Sequence, residues 1–148
     1  MNSKNLDQLF RETAARLSTS TCPFLEARLL IQAAGRLNEA EFFTRLSEPA
    51  GPELEKNLEQ LVQQRMDGCP LAYLLGYKEF WGLTFWVNRS VLIPRPETEL
   101  VVEKILTLPL PQDPLILDVG TGSGNIAISL GKELPSARII ATDVSKRA

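Results

Sequence analysis

The run Pro114-Leu115-Ile116-Leu117-Asp118-Val119-Gly120-Thr121-Gly122-Ser123-Gly124-Asn125 decides how this chain is read. A short apolar segment enters three alternating glycines, and a helix-like stretch from 126 to 134 follows, which predicts strand, glycine loop and helix in succession. Arg138-Ile139-Ile140-Ala141-Thr142 predicts a second strand, and it ends at Asp143, nineteen residues beyond Gly124. Together these pieces make one βαβ crossover, expected to be right-handed.

Glycines let the backbone turn tightly after a strand and let a ligand approach with no Cβ in the way, while the helix start offers N–H donors. A carboxylate at the tip of the neighbouring strand faces the same crevice and can accept hydrogen bonds from both hydroxyls of a ribose. Asp143 is therefore a candidate cofactor residue, against the alternative of capping a helix that starts near Ser145. A dinucleotide fingerprint would need its third glycine at position 125, where Asn125 stands. The pattern is Gly-x-Gly-x-Gly preceded by Asp118, which resembles the first motif of class I S-adenosylmethionine-dependent methyltransferases. Gly120, Thr121, Gly122, Ser123 and Gly124 are thus the candidate cradle. Asp118 is a weaker candidate, oriented toward the loop or the cofactor's amino-acid end; its alternative is to tie down the glycine turn by accepting backbone N–H bonds.

Upstream, Val91-Leu92-Ile93-Pro94-Arg95-Pro96-Glu97-Thr98-Glu99 predicts a stiff extended approach, with Pro96 opening a helix that has acids in its first turn and continues through Leu100, Val101, Lys104 and Ile105. Arg95 is a weak site candidate against a structural ion pair. Residues 77 to 87, rich in aromatics and broken by Gly82, predict a β-hairpin. Trp81 and Trp86 are expected to cover a hydrophobic seam rather than to stack on a ligand.

Before the hairpin, apolar residues recur at three- and four-residue steps. This predicts a helix from about Ser3, a possible cap, through Leu17, and a second opening at Pro23 and stopping at Gly35. A shorter helix over 39 to 46 and a fourth over 53 to 66 complete a small bundle without evident chemistry. Its polar residues read as solvated faces, so a packing or docking module is expected.

Composition narrows the chemistry. With 16 Lys plus Arg against 18 Asp plus Glu, the formal charge of −2 argues against phosphate-driven nucleic-acid binding. The absence of histidine removes Ser-His, Cys-His and His-metal sites, and no metal is expected. Cys22 and Cys69, each followed by proline, are expected to be reduced, buried and inert, and the lack of a long apolar span predicts a cytoplasmic chain with no membrane partner.

Three pieces in order resemble the peptide chain release factor glutamine N5-methyltransferases (HemK/PrmC-like). They are a helical N-terminal module with Pro70-Leu71-Ala72-Tyr73-Leu74-Leu75-Gly76, a linker from 80 to 94 running into Pro94-Arg95-Pro96-Glu97-Thr98-Glu99, and the loop from Asp118 to Gly124. The resemblance implies an α/β fold. A helical substrate-docking domain over 1–75 and a β-hairpin linker over 76–94 precede, over 95–148, the incomplete first βαβ part of a class I, Rossmann-like methyltransferase domain. It also implies S-adenosyl-L-methionine as cofactor, release factors as protein partners, and methyl transfer to the side-chain amide nitrogen of the glutamine in their Gly-Gly-Gln loop. Arg95, Glu97 and Thr98 are carried over only as a motif near the cofactor.

In that family an Asn-Pro-Pro-Tyr motif after the fourth strand holds the amide, and this sequence contains none. No catalytic residue is therefore assigned. The chain alone is expected to be inactive, to bind cofactor weakly and to expose apolar sheet faces. The alternatives are another class I methyltransferase acting on DNA adenine or another protein amide, a nucleotide-dependent oxidoreductase, disfavoured by the glycine spacing, and a non-enzymatic release-factor docking module.

Overall fold

A computed structural model describes residues 4–148, which divide into two compact units, 4–75 and 76–148. The first is helical: α1 (Leu6–Arg16), α2 (Pro23–Gly35), α3 (Glu39–Thr44), α4 (Pro52–Met66) and α5 (Leu71–Leu75). Asn5 caps α1, its side-chain oxygen accepting the Gln8 backbone N–H at 2.8 Å while the Gln8 side-chain oxygen accepts the Asn5 backbone N–H at 3.1 Å. The expected Ser3 cap lies outside the described residues. Asn38 and Glu41 repeat the reciprocal cap on α3, and Pro23 and Pro52 open α2 and α4 where a missing N–H costs nothing.

The apolar faces meet in one core of Leu6, Leu9, Leu17, Leu30, Ile31, Ala34, Phe42, Leu58 and Val62. An ion pair crosses from α2 to α4, where Arg65 donates to Glu26 through Nε at 2.7 Å and Nη2 at 2.9 Å and the Ser20 hydroxyl adds a third donor at 2.8 Å. Arg65 holds the Glu26 carboxyl below the usual carboxylate range, against the opposing effect of its burial. Two expectations are corrected. Leu71–Leu75 forms a fifth, single-turn helix, nucleated after Pro70, which is too short for hydrophobic periodicity to reveal. Neither cysteine is buried: Cys69 is half-buried, and Cys22 is exposed because it sits outside the helix that Pro23 begins.

The second unit starts with a hairpin of β1 (Tyr77–Phe80) and β2 (Leu83–Trp86), paired Tyr77 to Trp86 through Phe80 to Leu83. Its two-residue turn places both Trp81 (φ +51°) and Gly82 (φ +64°) in the left-handed region, the geometry that matches strand twist. A 3₁₀ turn (Pro96–Thr98) leads into α6 (Glu99–Leu106), followed by β3 (Leu115–Val119), α7 (Asn125–Glu133) and β4 (Arg138–Thr142).

β3 and β4 pair in parallel, Leu115 with Arg138 through Val119 with Thr142. Phe80, Phe85, Val102 and Leu130 form the core of this unit, with Trp81, Ile116 and Ile139 packed against it. Alternation along β3 and β4 turns Leu115, Leu117, Val119 and Ile140 to solvent, an apolar face of a two-stranded sheet. Trp86 is 79% exposed, so only Trp81 covers an apolar seam; the pleat that sends Phe85 inward sends Trp86 outward. Among the described residues no helix is long and apolar enough to cross a membrane.

Candidate functional site

The parallel pairing brings the end of β3 alongside the end of β4, so the glycine loop and Asp143 emerge together. The Gly120 and Thr121 amides both donate to the Thr142 carbonyl, at 2.8 and 2.9 Å, which extends the ladder one step into the loop. Gly122 then donates its amide to Asp143 Oδ2 at 2.8 Å. The Gly124 amide returns to the Thr121 carbonyl at 2.9 Å and closes the turn, and the Ile128 amide bonds the Gly124 carbonyl at 2.8 Å as the first bond of α7. Gly120 and Gly122 have φ of +77° and +56°, and a Cβ on either would meet no atom within 4 Å. At Gly120 and Gly122 the backbone is thus bare and open, as a ligand laid against it requires, whereas a Cβ on Gly124 would come within 3.2 Å of Ile128.

Asp143 is fully exposed and uses one carboxylate oxygen for Gly122 and the other for the Ser145 amide at 2.8 Å. The donors at Ser145 and Gly122 hold its carboxyl below the ordinary aspartate range. An ionised carboxylate accepts about four hydrogen bonds, so capacity remains for a diol beside the loop. The capping alternative is met only locally: Asp143 makes a turn with Ser145, and no helix is found from 144 to 148.

Asp118 accepts the Thr121 hydroxyl at 2.7 Å. It steadies the loop through a side chain rather than through the backbone bonds considered for it. The Ser123 hydroxyl lies 3.3 Å from Asn125 Oδ1. Gly120, Thr121, Gly122, Ser123, Gly124, Asp118 and Asp143 therefore form one constellation. Arg95 and Thr98 stand apart from it: Arg95 is exposed, Thr98 is half-buried at the 3₁₀ turn, and no side-chain hydrogen bond or ion pair joins either to the loop among the described residues. Among the described residues Arg95 forms no ion pair; it lies in extended backbone between Pro94 and Pro96 and is exposed.

Glu99 makes a contact that periodicity did not single out. Its carboxylate accepts the Trp81 amide at 2.7 Å, and the Trp81 indole N–H donates to Glu133 at 3.0 Å. An open cavity of about 430 Å³ lies beside Ser123, with β2, Asn88, Ile128 and Arg147 among its walls. No cluster of side chains able to hold a metal ion occurs among the described residues.

Comparison with known proteins adds an independent line. Residues 8–76 match the family model of the PrmC N-terminal domain. The chain is 42% identical over 132 residues to the release factor glutamine methyltransferase of Neisseria gonorrhoeae, covering 89% of this chain and 48% of that protein. The protein of the same name from Coxiella burnetii is 39% identical over 146 residues, covering 97% and 53%. That from Escherichia coli is 41% identical over 138 residues, covering 90% and 48%. The chain spans about half the length of the curated relatives it matches.

Proposed function

We infer from this chain's similarity to the release factor glutamine methyltransferases that the protein to which it belongs methylates the side-chain amide nitrogen of a glutamine in release factors, at the expense of S-adenosylmethionine. The observation that carries the cofactor half of this reading is the 2.8 Å bond between Asp143 and the Gly122 amide, which places an exposed carboxylate at the rim of a bare glycine turn. A nucleoside laid along the loop would meet a glycine backbone open at Gly120 and Gly122 and a ribose-accepting carboxylate together. The third glycine at Gly124, with Asn125 after it, supports the sulfonium nucleoside over a dinucleotide.

Each residue has a limited task in this reading. Gly120 and Gly122 admit the cofactor against the backbone, Asp143 accepts the ribose hydroxyls, and Asp118 holds Thr121 and hence the shape of the turn. When bound, S-adenosylmethionine supplies an electrophilic methyl group. An amide nitrogen is a poor nucleophile because its lone pair is delocalised, so orientation and hydrogen bonding to its NH2 must take the place of a strong base. None of the present residues is assigned to that last task. The helical unit 1–75 is assigned to docking the release factor, 76–94 to linking and 95–148 to cofactor binding, in a soluble cytoplasmic setting.

The test is transfer of radiolabelled methyl from S-adenosylmethionine to a purified release factor. The full-length protein containing these residues is expected to label the glutamine of the Gly-Gly-Gln loop and the 148-residue chain to leave it unlabelled. Labelling by the chain alone, or labelling of another residue by the full-length protein, contradicts the reading.

A further inference from the structure

We propose that Glu99 is a positioning residue that fixes the hairpin wall of the cavity beside the glycine loop; this rests on the cofactor reading above. The hairpin turn is left-handed at Trp81, a conformation unfavourable for a bulky side chain unless its surroundings hold it. Two carboxylates from separate helices do so. Glu99, the first residue of α6, accepts the Trp81 amide at 2.7 Å, and Glu133, the last residue of α7, accepts the Trp81 indole N–H at 3.0 Å. The turn is thereby tied to the helix that precedes β3 and to the helix that carries the glycine loop at its other end.

Phe80 and Phe85, on either side of the turn, are buried in the core with Val102 and Leu130 of the same two helices. Apolar packing presses the hairpin onto the helices, and the directional bond from Trp81 to Glu99 sets where along them it sits. A slip at the turn would displace β2. That strand, with Phe85 and Trp86, walls the cavity of about 430 Å³ whose other side includes Ser123 of the loop and Ile128 of α7. Among the described residues Glu99 does not line the cavity and its carboxylate makes no hydrogen bond to the loop, so its effect passes through the hairpin. The acid that ends the Pro-Arg-Pro-Glu-Thr-Glu run thus acquires a task distinct from cofactor contact.

The test uses the whole chain with Glu99→Ala and Glu99→Gln, the latter retaining an acceptor oxygen. S-adenosylhomocysteine affinity is measured by calorimetry, backbone and indole positions by ¹⁵N-resolved NMR, and folding by circular dichroism. Glu99→Ala is expected to stay folded, shift the Trp81, Thr84 and Ser123 amide signals, and weaken binding by about tenfold, whereas Glu99→Gln restores affinity to within about twofold. Unchanged affinity in a folded Glu99→Ala chain, or equal loss in both variants, overturns the proposal. Should Glu99→Ala unfold, Glu99→Gln alone decides, native-like signals and affinity sustaining the proposal and displaced signals overturning it. Should the unaltered chain not bind S-adenosylhomocysteine, the cofactor reading fails, and the NMR shifts still decide whether Glu99 places the hairpin.

Discussion

The amide of Gly122 donates to the carboxylate of Asp143 at 2.8 Å, joining the glycine turn after one strand to the acid at the tip of its parallel neighbour. The bond spans twenty-one positions of sequence, and it exists because the register of β3 and β4 carries Val119 opposite Thr142 and leaves the next residues of both strands side by side. A single interaction thus shapes the cradle and sets the carboxylate beside it. Four expectations follow from this arrangement and from the helical unit.

The loop is expected to loosen in acid. Donors at Ser145 and Gly122 depress the Asp143 carboxyl, so its contribution is complete above the ordinary aspartate range and is lost as pH falls through the depressed folded value. The Gly122 amide shift, followed by NMR from neutral pH downward, is expected to titrate with an inflection below that of an unperturbed aspartate and to be flat in Asp143→Asn. An inflection at or above the ordinary range contradicts the account.

Gly122→Ala tests the backbone requirement alone. The residue has φ +56° and a Cβ there meets nothing within 4 Å, so the substitution adds no clash and only strain, roughly 1–2 kcal/mol for a left-handed alanine. Chemical denaturation is expected to show that loss, accompanied by weaker S-adenosylhomocysteine binding. Unaltered stability and binding would mean that the turn does not need its left-handed geometry.

In the helical unit, Glu26 is nearly buried and meets Arg65 at 2.7 and 2.9 Å. Glu26→Gln is expected to lower stability by about 2 kcal/mol, less than a deeply buried pair would lose, because Arg65 retains partial access to water. The Glu26 carboxyl is held low chiefly by Arg65, so the pair stabilises above the ordinary glutamate range and its contribution fades as pH falls through the depressed value. Thermal melts read at a helical circular dichroism band should show this acid dependence in the unaltered chain and a smaller one in the variant. Equal midpoints for the two chains at neutral pH contradict it.

The elements carried by long apolar periodicity or by glycine and proline punctuation were legible in the sequence: α1, α2 and α4, the hairpin, and the succession of β3, glycine loop, α7 and β4. What was not legible depends on which group faces which. Leu71–Leu75 is a single turn with no period to detect. Trp86 and Trp81 look alike in an aromatic-rich stretch, and only the pleat and the two-residue turn separate an exposed ring from a packed one. Asp118 was assigned to the loop by position, but its partner is the Thr121 hydroxyl, a choice made by local side-chain geometry. The Glu99 to Trp81 bond joins residues eighteen apart on separate elements, for which neither spacing nor residue type gives a signal.

The most direct test of the central claim is an NMR titration of the chain with S-adenosylhomocysteine and, separately, with NAD, repeated in Asp143→Ala. S-adenosylhomocysteine is expected to move the Gly120, Gly122 and Gly124 amide signals, with at least about tenfold weaker binding in the variant and little response to NAD. Signals that move only outside the loop, equal binding by Asp143→Ala, or a preference for NAD would contradict it.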